Sequence, residues 1–249
     1  MVVLIQEQQE EGVEFHDLPE GCIENVLSFT TPRDVARLSS VSSTFRSAAE
    51  SDSVWDKFLP SDYRSIISQC DEEIDNSLSV LSKKDLYLYL TQKSILIDDG
   101  KKSFQLDKVD GKKCYMLSAR SLFIVWGDTP RYWRWISVLD SRFSEVAELV
   151  SVCWFEIRGW INTSMLSPNT FYGVYLVFKA SASGTYGFEY QPCEASILIP
   201  GGGGDPAERN VFLDAERGRR LRYQIVPRRR TGIFSRSVPV KCHPHLHLA

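Results

Sequence analysis

The chain has no apolar run near the ~20 residues a helix needs to cross a bilayer, and none of its six cysteines forms a Cys-x-x-Cys pair. These absences exclude a helical membrane span and a clustered-thiol zinc or redox site. Histidine is scarce. His16 stands near the amino terminus and His243, His245 and His247 near the carboxyl end, so Ser-His or Cys-His chemistry lacks a base in the body of the chain. Alternate histidines in an extended tail also lack a fourth metal ligand. No Gly-x-Ser-x-Gly, His-Glu-x-x-His or phosphate-loop pattern occurs, and nothing helical follows the glycines at 201–204 to make an anion cradle. Neither sign of charge dominates: 29 basic and 32 acidic side chains leave a net charge of -3, too little to commit the chain to nucleic acid or an anionic membrane. The sequence therefore predicts no catalysis, no cofactor, no metal and no membrane partner. Paired carboxylates for glycoside cleavage, with Asp128, Glu156 and Glu189 as candidates, are the weaker alternative.

What is present is globular: 249 residues, 43% hydrophobic and 12% aromatic, enough for one large core or two modest ones. The first 15 residues hold a short apolar run at 2–5 and then Gln and Glu, which is neither a signal nor a transit peptide. A chain in the cytoplasm and nucleus is expected, with Cys22, Cys70, Cys114, Cys153, Cys193 and Cys242 as reduced thiols and the sequon at Asn162 unused.

Residues 15–93 carry helical periodicity in short pieces. Thr31-Pro32-Arg33-Asp34 sets a capping hydroxyl, an N1 proline and an N3 carboxylate in order, and Ser82-Lys83-Lys84-Asp85 repeats the cap-and-acid spacing. Residues 95–102 read as a linker ending in an Asp-Gly turn. From about residue 103 the pattern changes to β-branched and aromatic runs at 113–117, 122–126, 133–138, 146–157, 171–180, 196–199, 211–213 and 221–226. Many short strands without intervening helices predict an antiparallel sandwich or barrel.

The amino-terminal apolar positions, among them Leu18, Ile23, Val26, Leu27, Val35, Leu38, Val41, Phe45 and Trp55, outnumber what three short helices hide among themselves. An uncovered face is implied, the alternative being that they complete an internal three-helix core. The order Leu18-Pro19, Ile23, Val26-Leu27, Pro32-Arg33-Asp34-Val35, Val41 to Arg46 and Val54-Trp55 resembles the F-box motif across 15–60. That resemblance implies docking on the Skp adaptor of a cullin-RING ubiquitin ligase through Leu18, Pro19, Ile23, Val26, Leu27, Val35, Leu38, Val41 and Trp55. Pro19 fixes the entry to the first helix, and the apolar edge suits a helix-in-groove contact.

Between Ala119 and Trp135 three tryptophans and Tyr132 surround the turn Gly127-Asp128-Thr129-Pro130. An exposed indole offers the surface on which the C–H face of a sugar stacks, with neighbouring Asp or Arg groups bonding its hydroxyls; the alternative points alternate rings into the core. This run, with Val152-Cys153-Trp154-Phe155-Glu156-Ile157-Arg158-Gly159 and Tyr172-Gly173-Val174-Tyr175-Leu176-Val177-Phe178-Lys179, resembles the phloem protein 2 family. Its tobacco lectin relative is a jelly-roll sandwich that binds chitin oligomers and N-glycan cores. By that resemblance Trp126 and Trp133 take the sugar-contacting positions and Tyr132 the rim, with Asp128 beside them.

The expected architecture is α+β and multidomain: a tail at 1–14, an F-box at 15–60, a helical connector and linker at 61–102, a jelly-roll, lectin-like domain at 103–237 and an atypical tail at 238–249. Because the tail departs from the family's closing strands, the sandwich is expected to be incomplete. Seven arginines between 217 and 230 form a basic patch, read either as an import or phosphate contact or as a solvated edge; nucleic acid is not the expected partner. The reading is a substrate-recognition subunit of an SCF-type ligase, with a Skp adaptor, a cullin and a glycan or glycoprotein target as partners. An intracellular lectin without a ligase role is the alternative.

Overall fold

The computed structural model describes residues 18–180, 188, 192–199, 207–211, 213, 238–240 and 246–248. The apolar run at 2–5, His16, Glu189, the glycines at 201–204, the strand expected at 221–226, the arginines at 217–230, and His243 and His245 lie outside these residues.

Helices come first: α1 Glu20–Ser28, α2 Pro32–Leu38, α3 Ser43–Glu50, α4 Asp52–Trp55, α5 Tyr63–Ile67, α6 Glu72–Ser79 and α7 Lys83–Gln92. Helices this short are marginal alone and are held by packing. Their starts are local. The Asp34 N–H donates to Thr31 Oγ1 at 3.2 Å while the Thr31 hydroxyl donates to Asp34 Oδ2 at 2.7 Å, with Pro32 at the first helical position. Ser82 and Asp85 form the same pair at 3.1 Å and 2.7 Å.

The segment expected as a linker is instead the first strand of a meander of β1 Ile95–Ile97, β2 Lys102–Leu106 and β3 Lys113–Leu117. Alternate strand residues share a face, so Ile95 and Ile97 both need a core, and both are buried against the helices. A turn with positive φ at Asp98, Asp99 and Gly100 returns the chain from β1 to β2. One apolar core therefore runs from Ile23 through Leu90 to Leu106, joining the first helices, the connector and the meander.

A second core contains Ala119, Ile124, Trp133, Ala147, Leu149 and Phe155. Around it lie β4 Phe123–Ile124, β5 Trp133–Ile136, β6 Val146–Leu149, β7 Phe155–Arg158, β8 Phe178–Ala180, β9 Cys193–Ile197, β10 Ala207–Val211, β11 Val238–Val240 and β12 Leu246–Leu248. They form small sheets, in the orders β5-β6-β12-β8, β11-β7-β4 and β10-β9, and every pairing is antiparallel. The α+β order of the sequence reading is the observed one.

Details differ from the periodicity. The run at 146–157 breaks into β6 and β7 because the Val150 and Ser151 N–H groups turn to the Tyr132 carbonyl, at 2.8 Å and 3.4 Å. Of the run at 171–180 only β8 enters a ladder; Phe171, Val174 and Tyr175 are exposed. In the tail, β11 pairs with β7, and β12 lies between β6 and β8, giving backbone groups of those strands hydrogen-bonding partners.

Candidate functional site

The α1 helix carries two apolar faces. Ile23 and Leu27, one turn apart, point into the first core and are fully buried, and α1 packs on α3 and α4. Cys22, Val26 and Phe29, at i, i+4 and i+7, form a second stripe on the outside. Val26 is 47% exposed and Phe29 84%. Val41, in the loop before α3, is 66% exposed. Pro19 is exposed, and Leu18 and Leu38 are half-buried against the first core.

The structure thus divides the expected adaptor-binding set. Val26, Val41 and Pro19 face solvent, whereas Ile23, Leu27, Val35 and Trp55 are sealed inside the chain's own core. The correction has a physical cause. Trp55 donates its indole N–H to the Ala49 carbonyl at 2.7 Å and meets Phe58 and Tyr87 ring to ring at 5.6 Å and 5.4 Å, so it closes the first helices onto α7. Phe29 belongs to the exposed set but was not among the expected residues. Its signal was present: it extends the Cys22–Val26 stripe by one further turn.

On the β-domain, Trp126 stands in the turn after β4, two residues past Ile124, with φ +56°, the left-handed region that a bulky residue seldom adopts. Its indole is 42% exposed and lies 5.1 Å from the half-buried Tyr132 ring, tilted by 35°. Asp128 is exposed in the same turn, and the Arg131 guanidinium lies 5.9 Å from the Tyr132 ring. Gly127 cannot be enlarged freely, since a Cβ there would sit 3.1 Å from the Ile124 carbonyl. Trp126, Tyr132 and Asp128 are therefore brought together at one edge. Trp133 is not with them. It is 2% exposed and stacks on Phe155 at 6.2 Å, because alternation along β5 turns it into the second core. Its indole N–H donates to the Val125 carbonyl at 3.1 Å, and that of Trp135 to the Gly127 carbonyl at 3.0 Å.

Glu156, weighed above as a hydrolytic carboxylate, is bound up in structure. Trp154 Nε1 donates to one oxygen at 2.8 Å and Arg158 Nε to the other at 2.5 Å. The indole bond first, and then Arg158, hold its carboxyl below the usual range. Asp128 is exposed on the Trp126 turn, and Glu189 lies outside the described residues.

An open cleft of about 1260 Å³ separates the α4–α5 loop and Tyr87 from the loop at 109–113 and from residues 163–172. Tyr87 closes one wall, and burial pushes its phenol up to about 12. Among the described residues no group of three or more His, Cys, Asp or Glu side chains is placed to hold a metal ion, and no helix is long and apolar enough to cross a membrane.

Comparison with known proteins agrees with this division of the chain. The F-box domain family matches residues 15–57 and the phloem protein 2 family matches residues 112–237. The Arabidopsis thaliana F-box protein PP2-B12 is 54% identical over 183 residues, 74% of this chain and 70% of that protein. PP2-B1 of the same plant is 51% identical over 187 residues, 75% of this chain but 54% of that protein, so the chain spans about half of that relative's length. PP2-B10 is 47% identical over 212 residues, 84% of this chain and 74% of the relative. Helices with an exposed apolar stripe, joined to antiparallel sheets with an aromatic edge, together with these matches, place the chain among the plant F-box proteins that carry a phloem protein 2 domain.

Proposed function

We propose that this chain is the substrate-recognition subunit of an SCF-type cullin-RING ubiquitin ligase. Its F-box docks on a Skp adaptor and thereby on the cullin; its β-domain presents a target, glycoproteins included. Bond making belongs to other subunits. The observation that carries this reading is the second apolar stripe of α1: Val26 and Phe29 stand in solvent although Ile23 and Leu27 already supply the internal core. A short helix with an unused apolar face fits the helix-in-groove mode of recognition.

The exposed Trp126 indole, the Tyr132 ring and the Asp128 carboxylate support a glycan as part of the recognised target, rings for the sugar's C–H face and carboxylate for its hydroxyls. The same platform supports the second reading, an intracellular lectin without a ligase role. In either case the chain works in the cytoplasm and nucleus, which fractionation of tagged protein tests.

Co-purification of the full chain with a Skp adaptor decides between the two. Val26→Asp with Phe29→Asp abolishes capture on the first reading, while Trp126→Ala leaves it intact. A chain that binds a chitin oligomer and ignores the adaptor supports the lectin alone.

A further inference from the structure

A bulky residue in the left-handed region is strained, and such strain persists only where surrounding groups impose it. Trp126 is held there by two neighbours of the same kind. The carbonyl of Val125, in the peptide that enters Trp126, accepts from Trp133 Nε1, and the carbonyl of Gly127, one peptide unit beyond the Trp126 carbonyl, accepts from Trp135 Nε1. Both bonds span eight residues, and both donors sit on β5, two positions apart, so they reach the turn from one face of one strand.

The two donors are themselves fixed. Trp133 is buried and stacked on Phe155. The Trp135 ring carries the Arg120 guanidinium 3.6 Å from its centroid, and Arg120 is tied to Glu145 at 2.9 Å. The peptide unit between Trp126 and Gly127 is held by the turn itself, Gly127 N–H donating to the Ile124 carbonyl and Thr129 N–H to the Trp126 carbonyl, each at 2.9 Å. The two indole bonds fix the peptide units that flank it, and the Trp126 indole is left projecting beside Tyr132.

We infer that Trp133 and Trp135 are positioning residues that clamp the backbone on both sides of Trp126 and so set its indole as the recognition platform. Trp133 then acts on a ligand through Trp126 rather than by touching it. The inference rests on the reading that the Trp126 edge takes a glycan, and its test has a readout that does not.

The full chain labelled with 5-fluorotryptophan gives one ¹⁹F resonance for Trp126, assigned by its loss in Trp126→Phe. Trp133→Phe and Trp135→Phe keep a ring but remove the N–H, and each is expected to shift or split that resonance and to weaken binding of a chitin trisaccharide about tenfold, as for one lost ordering hydrogen bond. Trp55→Phe is the control, since it loses a comparable buried indole bond in the other core; it should leave the Trp126 signal in place. An unmoved Trp126 resonance in both β5 variants, or an equal movement in Trp55→Phe, overturns the inference. Should wild-type protein not bind the trisaccharide, the glycan reading fails alone and the resonance still decides. Trp135, only half-buried, provides the variant least exposed to misfolding.

Discussion

The Lys113 ammonium lies 2.9 Å and 2.8 Å from the two carboxylate oxygens of Asp62, with the lysine side chain 7% exposed. This pair ties β3 to the residue preceding α5, at the edge of the cleft between helices and sheets. The two partners are not equivalent. Asp62 retains solvent access, whereas Lys113 does not. Asp62→Asn therefore leaves a buried cation without an anion and should destabilise by about 3 kcal/mol. Lys113→Met removes the buried charge and should cost less than half as much. Denaturant midpoints of the two variants check the order, and the reverse order would refute the assignment of the lysine as the buried partner.

Trp55→Phe should lower stability by about 1–2 kcal/mol, the penalty for leaving the Ala49 carbonyl without its indole donor. Trp55→Ala should lower it by about 3–5 kcal/mol, because the cavity opens between Phe58 and Tyr87 as well. Both losses should appear in one unfolding transition with the meander, since Trp55 and Phe104 share a core.

Trp55 also shows where the sequence stops being informative. Helix starts were legible because their chemistry is local: Thr31 with Asp34, and Ser82 with Asp85, satisfy N–H groups within four residues. The β3 strand at 113–117 was legible from its own pattern. Which apolar face of α1 turns inward was not legible, because Ile23, Val26 and Leu27 are all apolar at helical spacing, and the choice is made by partners such as Ala48, Ala49 and Val54 that lie more than 20 residues away. The same holds for β5. Alternation put Trp133 and Trp135 on one face, but only the second core, through Phe155, makes that face the inner one for Trp133.

The cysteines should separate by reactivity. Burial, helped by Asp75 and Asp71, pushes the Cys70 thiol up to about 11, and burial also raises Cys114. Cys22 and Cys153 are exposed and Cys193 is buried. Mass spectrometry after brief iodoacetamide treatment at mildly alkaline pH should find Cys22 and Cys153 modified before Cys70, Cys114 and Cys193. Since Cys22 lies on the outer stripe of α1, added Skp adaptor should slow its modification and leave Cys153 unchanged. Equal rates at Cys22 with and without adaptor count against docking through this face.

Glu156 gives a pH dependence of stability. Its carboxyl is held low by the Trp154 indole bond and by Arg158, so the ionised form is favoured in the folded chain. The stabilisation is complete above the ordinary carboxylate range and disappears as the pH falls through the lowered value. Thermal unfolding of wild type and Glu156→Gln should therefore differ most near neutrality and converge in acid. A difference that grows on acidification reverses the sign and rejects the account.

The two faces of α1 predict opposite consequences for near neighbours in the chain. Ile23→Ala and Leu27→Ala each delete buried methyl groups and should cost about 2–4 kcal/mol. Val26→Ser and Phe29→Ser alter side chains that lie outside the buried core of the free chain, and each should cost far less than the buried pair, about 0.5 kcal/mol. Adaptor affinity should run the other way. The serine variants lose the apolar area that a partner groove covers, so their capture by the adaptor falls while their unfolding midpoints stay put. The alanine variants, assayed well below their midpoints, keep the outer stripe and should still be captured. Measuring both properties on all four proteins separates a helix that docks from one that only folds, because a purely internal role for α1 makes affinity follow stability across the set.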